Sequence, residues 1–348
     1  MSGANGTTPE LSCPYFVVRD DGKIACTLCP RRCVRQPGER GDCGTRINRQ
    51  GQWHALNLGR LSVTALDPIE KKPLFHFWPG SQTLSVAADG CNLDCPFCQN
   101  HLLSQRPREG DWRPEKNAFV PPALLLQQAR RRGAHSISFT YSEPLLQLAY
   151  ILEVARAKSR DELPLVLVTN GQVNAQPRAD LAGAIAAANV DLKTFSARQY
   201  RSVLGGTLSA TLDTIGELHQ AGVWIEVTTL LVPDFNDTAE EVTQMAAFIA
   251  GIDRAIPWHV SAFHPDWRWQ HLPRTSVQSL HRARQIGLAA GLHHVYTGNI
   301  PGDDGERTLC SGCGAVIVDR MQYRIRAIHT ENGGCKRCGT RVAGIGFS

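Results

Sequence analysis

The sequence predicts an α/β protein: an incomplete (β/α) barrel, TIM-like in the order of its elements, with small cysteine-rich metal-binding modules at both ends. Three observations point there. Seven short β-rich runs alternate with helix-patterned segments through the middle of the chain. Polar or otherwise unusual residues stand at the C-terminal end of one run after another, where a parallel barrel gathers its function. Eleven of the twelve cysteines fall into three tight groups, two of which flank the alternating region. The chain therefore divides into residues 1–50, 51–305 and 306–348.

Residues 1–25 read as a loosely ordered lead-in to the first group, Cys26, Cys29, Cys33 and Cys43. A bridging stretch, GQWHALNLGRLSVTALDPIEKKPLFHFWPG, precedes the barrel strands TLSVAA, SISFTY, PLVLVT, VDLKTF, VWIEVTTLLV, WHVSAF and HHVYTG. Between them, PPALLLQQARRR opens on prolines that suit a first helical turn and stops at Gly133. PLLQLAYILEVARAK, ADLAGAIAAA, TLDTIGELHQAG and TAEEVTQMAAFIAG are apolar at helical spacing. The strand ends carry Cys91, Glu143, Asn170 and Lys193 in turn, and Asn236, His264 and Asn299 continue the series. One such residue would be ordinary turn chemistry; a filled series favours one active face.

The formal charge is +5. A zinc on four thiolates carries about −2, and a 2+ four-iron cluster on three thiolates about −1. A full metal complement thus brings the chain near neutrality, so its basic balance makes no case for nucleic acid or a membrane surface. Arg130, Arg131 and Arg132 read as a solvated helix end. No apolar run approaches the roughly 20 residues of a spanning helix, and residues 1–12 are small and polar rather than a signal segment. The expected location is the cytoplasm, where close C-x2-C pairs bind metal rather than form disulfides.

The run CNLDCPFC holds Cys91, Cys95 and Cys98. Three thiolates can hold a four-iron cluster and leave one iron open to a chelating small molecule, whereas electron-transfer clusters close all four positions. A zinc knuckle or unliganded core thiols are the alternatives. At the other end, Cys310, Cys313, Cys335 and Cys338 fit a structural zinc, with a rubredoxin-like iron as the alternative. Glycine after each C-x2-C lets backbone amides approach the sulfurs. Zinc there would fold a tail too small for a core of its own, supplying roughly 10–16 kcal/mol. For Cys26, Cys29, Cys33 and Cys43, zinc and a second iron–sulfur cluster both fit. Zinc is favoured because Arg31, Arg32, Arg35 and Arg40 would offset its thiolates. Cys13 is left as a buried or incidental thiol.

These motifs, together with LCPRRC, GDCG, LDPIEKKPLFHFWPGS, FTYSEP, VTNG, DLKTF, PWHVSAFHPDWR and YTGNIPG, carry a resemblance over nearly the whole chain. It resembles the radical S-adenosylmethionine (radical SAM) enzyme of the AmmeMemoRadiSam system, a family related to the activating enzymes of glycyl-radical proteins such as pyruvate formate-lyase. The resemblance implies a partial barrel of the radical SAM type in which Cys91, Cys95 and Cys98 hold a 4Fe–4S cluster. The open iron would take the amino and carboxylate groups of S-adenosylmethionine, with Phe97 beside the adenine. Glu143 matches the acidic position of a GGEP-type motif that contacts the methionine ammonium, although Tyr141 and Ser142 replace its two glycines. Asn170, Asp191 and Lys193 match segments near the cosubstrate. As purely structural groups, Asn170 would make a turn with Gly171 and Asp191 would pair with Lys193.

The implied activity is reductive cleavage of S-adenosylmethionine to a 5′-deoxyadenosyl radical that takes hydrogen from a small or unknown substrate. A reductant such as flavodoxin or ferredoxin would supply the electron. An activase acting on a glycyl-radical protein partner is the second reading. A third, non-catalytic reading is a zinc and iron–sulfur module that binds RNA, with Trp267, Arg268 and Trp269 as its stacking stretch.

Overall fold

The computed structural model describes residues 14–159 and 162–347, so Cys13 lies outside the described residues. Eight strands form the main sheet side by side in chain order: β1 (Val63–Pro68), β2 (Gln82–Ala87), β3 (Ser136–Phe139), β4 (Leu165–Thr169), β5 (Ala187–Asp191), β6 (Trp224–Leu231), β7 (Trp258–Ala262) and β8 (Val295–Gly298). Strands β2 to β8 run parallel, and β1 pairs antiparallel with β2. Strands β1 and β8 are the two edges, so the barrel is incomplete. Successive parallel strands are joined through α1 (Pro122–Arg131), α2 (Leu148–Ala157), α3 (Ala175–Ala182), α4 (Leu208–Gln220), α5 (Ala239–Ile252) and α6 (Val277–Ala289). Among the described residues no helix is long and apolar enough to cross a membrane.

Side-chain alternation explains how the sheet sorts its faces. Leu84, Ile137, Leu167, Val190, Val227 and Val260 point toward the helices and form the main core with residues such as Leu126, Ile151 and Met245. Their neighbours Ser85, Ser138, Asn189, Glu226, Thr228 and His259 point the other way, buried but polar. Strands covered on both faces thus keep a period of two, with apolar residues under the helices and small or polar ones toward the lumen.

All seven strands expected from the sequence form, with three differences in this region. Strand β5 starts at Ala187 and α3 ends at Ala182, whereas ADLAGAIAAA reads as continuous helix. Ala187 and Ala188 are wholly buried between β4 and β6, and that packing overrides alanine's helix preference. Strand β1 lies inside the bridging stretch, and α6 fills a connection where the sequence reading placed no helix. The lead-in is also more ordered than expected, since Phe16–Val18 pairs with Ile24–Cys26 as an antiparallel hairpin.

The segment after β1 plugs the lumen. Backbone amides of Phe75 and His76 donate to Glu226 at 2.9 and 2.7 Å, Asn189 Nδ2 donates to the Pro73 carbonyl at 2.7 Å, and His259 Nε2 lies 2.7 Å from Glu226. The C-terminal module fastens to this plug. Its Arg320 is buried, donates to the carbonyls of Phe75 and Glu306 at 3.1 and 2.9 Å, and lies 4.0 Å above the Phe75 ring. Among the described residues the Arg320 Nε has no hydrogen-bond partner, but the bonds from its two terminal nitrogens and the ring contact tie the module to the barrel.

Candidate active site at the strand ends

Strand β2 ends at Ala87, and Gly90, at a φ of +116°, turns the chain into the cysteine loop. A Cβ at Gly90 would meet the Thr45 methyl at 2.4 Å, so any other residue there would force the Thr45 side chain aside as well as strain the backbone. The loop sets Cys91, Cys95 and Cys98 on one wall of a cavity of about 750 Å³, which also receives Glu143, Asn170, Asp191 and Lys193 from β3, β4 and β5. The residues read from the strand ends therefore share one chamber. His264 and Asn299 line it too. Asn236 does not. It is buried, donates to the carbonyls of Lys193 and Leu230 at 2.7 and 2.9 Å and accepts from Val232 N at 2.7 Å, a structural clamp between β5 and β6.

Burial governs the electrostatics. It pushes the Cys95 thiol up to about 12 and the Cys91 thiol well above its ordinary value. Bare thiolates are not stable in this pocket; a bound cationic centre would supply the missing charge and displace the protons. Glu143 accepts from Leu145 N at 3.0 Å, Thr169 Oγ1 at 2.7 Å and Asn170 N at 2.9 Å. Burial nevertheless outweighs these donors and raises its carboxyl to about 7. It is a costly anion waiting for a cation. Asn170 is more than a turn former: its Nδ2 donates to Asn92 Oδ1 at 2.9 Å and sits 3.5 Å from Cys91 Sγ. Lys193 pairs with Asp191 at 2.9 Å; burial opposes its charge, but Asp191 and the neighbouring Cys95 hold its ammonium above the ordinary value.

Tyr141 adopts a φ of +66°, the left-handed region that favours glycine, so the departure from the glycine pair changes the residue and keeps a glycine-like backbone. Its side chain holds that geometry. The hydroxyl donates to Asp67 at 2.5 Å, and Lys72 Nζ lies 4.6 Å from the ring centroid while pairing with Asp67 at 2.9 Å. Phe97 is buried against Phe235 and Trp269, with ring centroids 5.5 and 5.2 Å away. Trp267 stacks on His101, and Arg268 folds back over Trp267. The aromatic stretch that would stack bases is thus engaged in supporting the cysteine loop.

The clamps on the cysteine loop escaped the sequence reading, which gave Arg31 only a charge-balancing part in the N-terminal module. Arg31 donates to the Asn92 carbonyl at 2.6 Å and pairs with Asp94; Arg108 also pairs with Asp94 and donates to the Cys91 carbonyl at 3.0 Å. Asp94, between two of the cysteines, was the available signal. Of the two cysteine quartets, the C-terminal one has closed. Cys310, Cys313, Cys335 and Cys338 bring all four sulfurs within 4.8 Å of one another, with Cys310–Cys338 at 3.5 Å and Cys313–Cys335 at 3.8 Å. A tetrahedral zinc with bonds of about 2.3 Å needs sulfurs about 3.8 Å apart, so this set fits one ion.

Fold and site define a class, an incomplete parallel barrel with a three-thiol loop after its first parallel strand and a polar chamber at the strand ends. Residues 85–249 match the Radical SAM superfamily profile, so the chain carries a radical SAM domain, and it aligns almost end to end with a relative. That relative is an uncharacterised protein of Methanocaldococcus jannaschii, MJ0808, 36% identical over 333 residues that cover 94% of this chain and 97% of the other. A GTP 3′,8-cyclase of Brucella ovis is 24% identical over 159 residues, 43% of this chain and 44% of that enzyme. The fold recurs in a radical SAM methyltransferase from Sphaerobacter thermophilus, at a TM-score of 0.50 and 15% identity over 89% of this chain and 80% of that one. A radical SAM domain implies a 4Fe–4S cluster and S-adenosylmethionine. The donor set fits both: three thiols, two of them pushed up by burial, face the same cavity as a buried carboxylate that lacks a cation.

Proposed function

We propose that the chain is a radical SAM enzyme of the AmmeMemoRadiSam type that acts on a small substrate. The observation that carries this reading is the shared chamber, in which the three cysteines, Glu143, Asn170 and the Asp191–Lys193 pair face one another. Its volume of about 750 Å³ falls within the roughly 300–1,000 Å³ range of small-molecule sites.

Cys91, Cys95 and Cys98 would hold the cluster, and S-adenosylmethionine would bind at its open iron. When bound and reduced by one electron, the cluster would pass that electron to the sulfonium, which is the chemistry of reductive S-adenosylmethionine cleavage and hydrogen abstraction. The chain's own residues bind, orient and shield. Glu143 receives the methionine ammonium, which relieves its desolvated charge. Lys193 neutralises a carboxylate, and Asp191 holds Lys193 while keeping a lone pair for a ribose hydroxyl. Phe97, braced by Phe235 and Trp269, offers a rigid apolar face to the adenine. Asn170 steadies Cys91. His264 and Asn299 line the same chamber and would meet the substrate. A low-potential donor of the flavodoxin or ferredoxin class supplies the electron, and a zinc on Cys310, Cys313, Cys335 and Cys338 fixes the C-terminal wall.

The test is anaerobic reconstitution followed by dithionite and S-adenosylmethionine. The chain should release 5′-deoxyadenosine and Cys95→Ala should not; equal release by both would overturn the assignment. A glycyl doublet in electron paramagnetic resonance (EPR) spectra of mixtures with a candidate protein would move the substrate from a small molecule to a protein loop.

A further inference from the structure

The N-terminal quartet behaves unlike the C-terminal one. Cys26, Cys29, Cys33 and Cys43 are all buried in one small module. The Cys26 amide donates to the Cys33 carbonyl at 2.9 Å, which sets these two side by side, and the Asp42 amide approaches Cys33 Sγ at 3.5 Å, which brings the Cys43 turn onto the same sulfur. The Arg32 amide closes a turn on the Cys29 carbonyl at 3.2 Å. The four thiols are gathered. Yet among the described residues they are not a set whose ligand atoms converge within 4.8 Å, whereas the C-terminal quartet is one. Among the described residues Cys91, Cys95 and Cys98 are not such a set either. Sulfurs sharing a single zinc must stand about 3.8 Å apart, while the cysteine sulfurs that bind a cubane's irons from outside the cube stand farther apart.

The charge argument for zinc also loses its force. A 2+ four-iron cluster on four thiolates carries about −2, as does a zinc on four thiolates. Nearby arginines are compatible with either.

Position supplies the remaining argument. Arg108 Nε donates to the carbonyl of Asp42, the residue before Cys43, at 2.8 Å, and its Nη2 donates to the carbonyl of Cys91 at 3.0 Å. One guanidinium spans the two cysteine loops. Arg31, between Cys29 and Cys33, donates to the carbonyl of Asn92 at 2.6 Å. Asn174 ties the Thr27 and Cys29 carbonyls, at 2.7 and 3.0 Å, to the loop after β4. Zinc has no redox chemistry and would only brace the Cys91 loop, whereas a cluster so placed could also pass it an electron.

We propose that Cys26, Cys29, Cys33 and Cys43 hold a second, fully cysteine-ligated four-iron cluster that stands between an external donor and the Cys91 loop. A low-potential one-electron donor of the flavodoxin or ferredoxin class reduces this cluster by one electron. The same electron passes to the centre on Cys91, Cys95 and Cys98, and the N-terminal cluster returns to its oxidised state; no proton or bond is exchanged. The relay role rests on the function proposed above, whereas the identity of the metal does not.

The test uses the full chain carrying Cys91→Ala, Cys95→Ala and Cys98→Ala, reconstituted anaerobically with iron and sulfide. About four irons, four sulfides and one zinc should remain per chain, with a dithionite-reduced EPR signal that S-adenosylmethionine leaves unchanged. Two zincs and no iron would overturn the proposal in favour of a second zinc site. One zinc and no iron would overturn it in favour of bare thiols. The reciprocal variant, Cys29→Ser with Cys33→Ser, should keep about four irons and an EPR signal that shifts on adding S-adenosylmethionine. A signal that fails to shift there, while the triple variant keeps its iron, would sink the function proposed above and leave the second cluster standing.

Discussion

Replacing Glu143 with Gln removes one charge and almost no volume from the chamber, and its consequence can be worked from the three hydrogen bonds the carboxylate accepts. Oε1 takes Leu145 N and the Thr169 hydroxyl, and Oε2 takes Asn170 N. A glutamine keeps one acceptor oxygen but must turn its NH2 toward one of these donors. The resulting donor–donor conflict costs about 1–3 kcal/mol of stability. Binding loses more specifically. A hydrogen bond to a charged group contributes about 1.5–3 kcal/mol, so losing the carboxylate–ammonium contact should weaken S-adenosylmethionine binding roughly 10- to 150-fold. The assay is equilibrium binding to anaerobic protein at pH 8, with iron content checked to show that the cysteine loop is intact. A dissociation constant within twofold of the parent chain, at equal iron content, would refute the reasoning.

Other outcomes follow from the same geometry. Because burial raises Glu143 to about 7 and the ammonium needs the ionised form, lowering the pH from 8 to 6 should weaken binding about tenfold. Glu143→Gln should show no such dependence, which a pH series of binding isotherms checks. Asn170→Ala removes the Nδ2 group 3.5 Å from Cys91 Sγ; hydrogen bonds to sulfur raise a cluster's potential, so a redox titration should find the variant's active-site potential more negative. Cys335→Ser should release zinc and loosen the hairpin that carries Arg320, measured as a lower melting temperature and new proteolytic cleavage beyond residue 306. An unchanged melting temperature would mean that the C-terminal module contributes nothing to the barrel.

Much of the barrel was legible because strands covered on both faces leave two signals at once. Val190 beside Asn189 and Val260 beside His259 record both the helix-facing and the lumen-facing sides of the sheet. Strand ends were legible for a similar reason: Cys91, Glu143, Asn170 and Lys193 are residues that an ordinary apolar strand would not need there. Strand β1 was obscured because it is an antiparallel edge with Leu66 exposed, and its polar residues resemble a linker. Ala187 and Ala188 read as helix because alanine's local preference favours it, and only the close approach of β4 and β6 decides otherwise. The clamps on the cysteine loop were hidden by distance along the chain. Arg31 lies far from Asp94 in sequence and beside it in space.

The most direct test of the central claim is Mössbauer spectroscopy of 57Fe-reconstituted chain, recorded anaerobically before and after adding S-adenosylmethionine. If Cys91, Cys95 and Cys98 hold a cubane with one iron free of protein ligands, one iron per chain should change its isomer shift on addition while every other iron stays as it was. Spectra in which no iron responds, or in which no cubane is present, would contradict it.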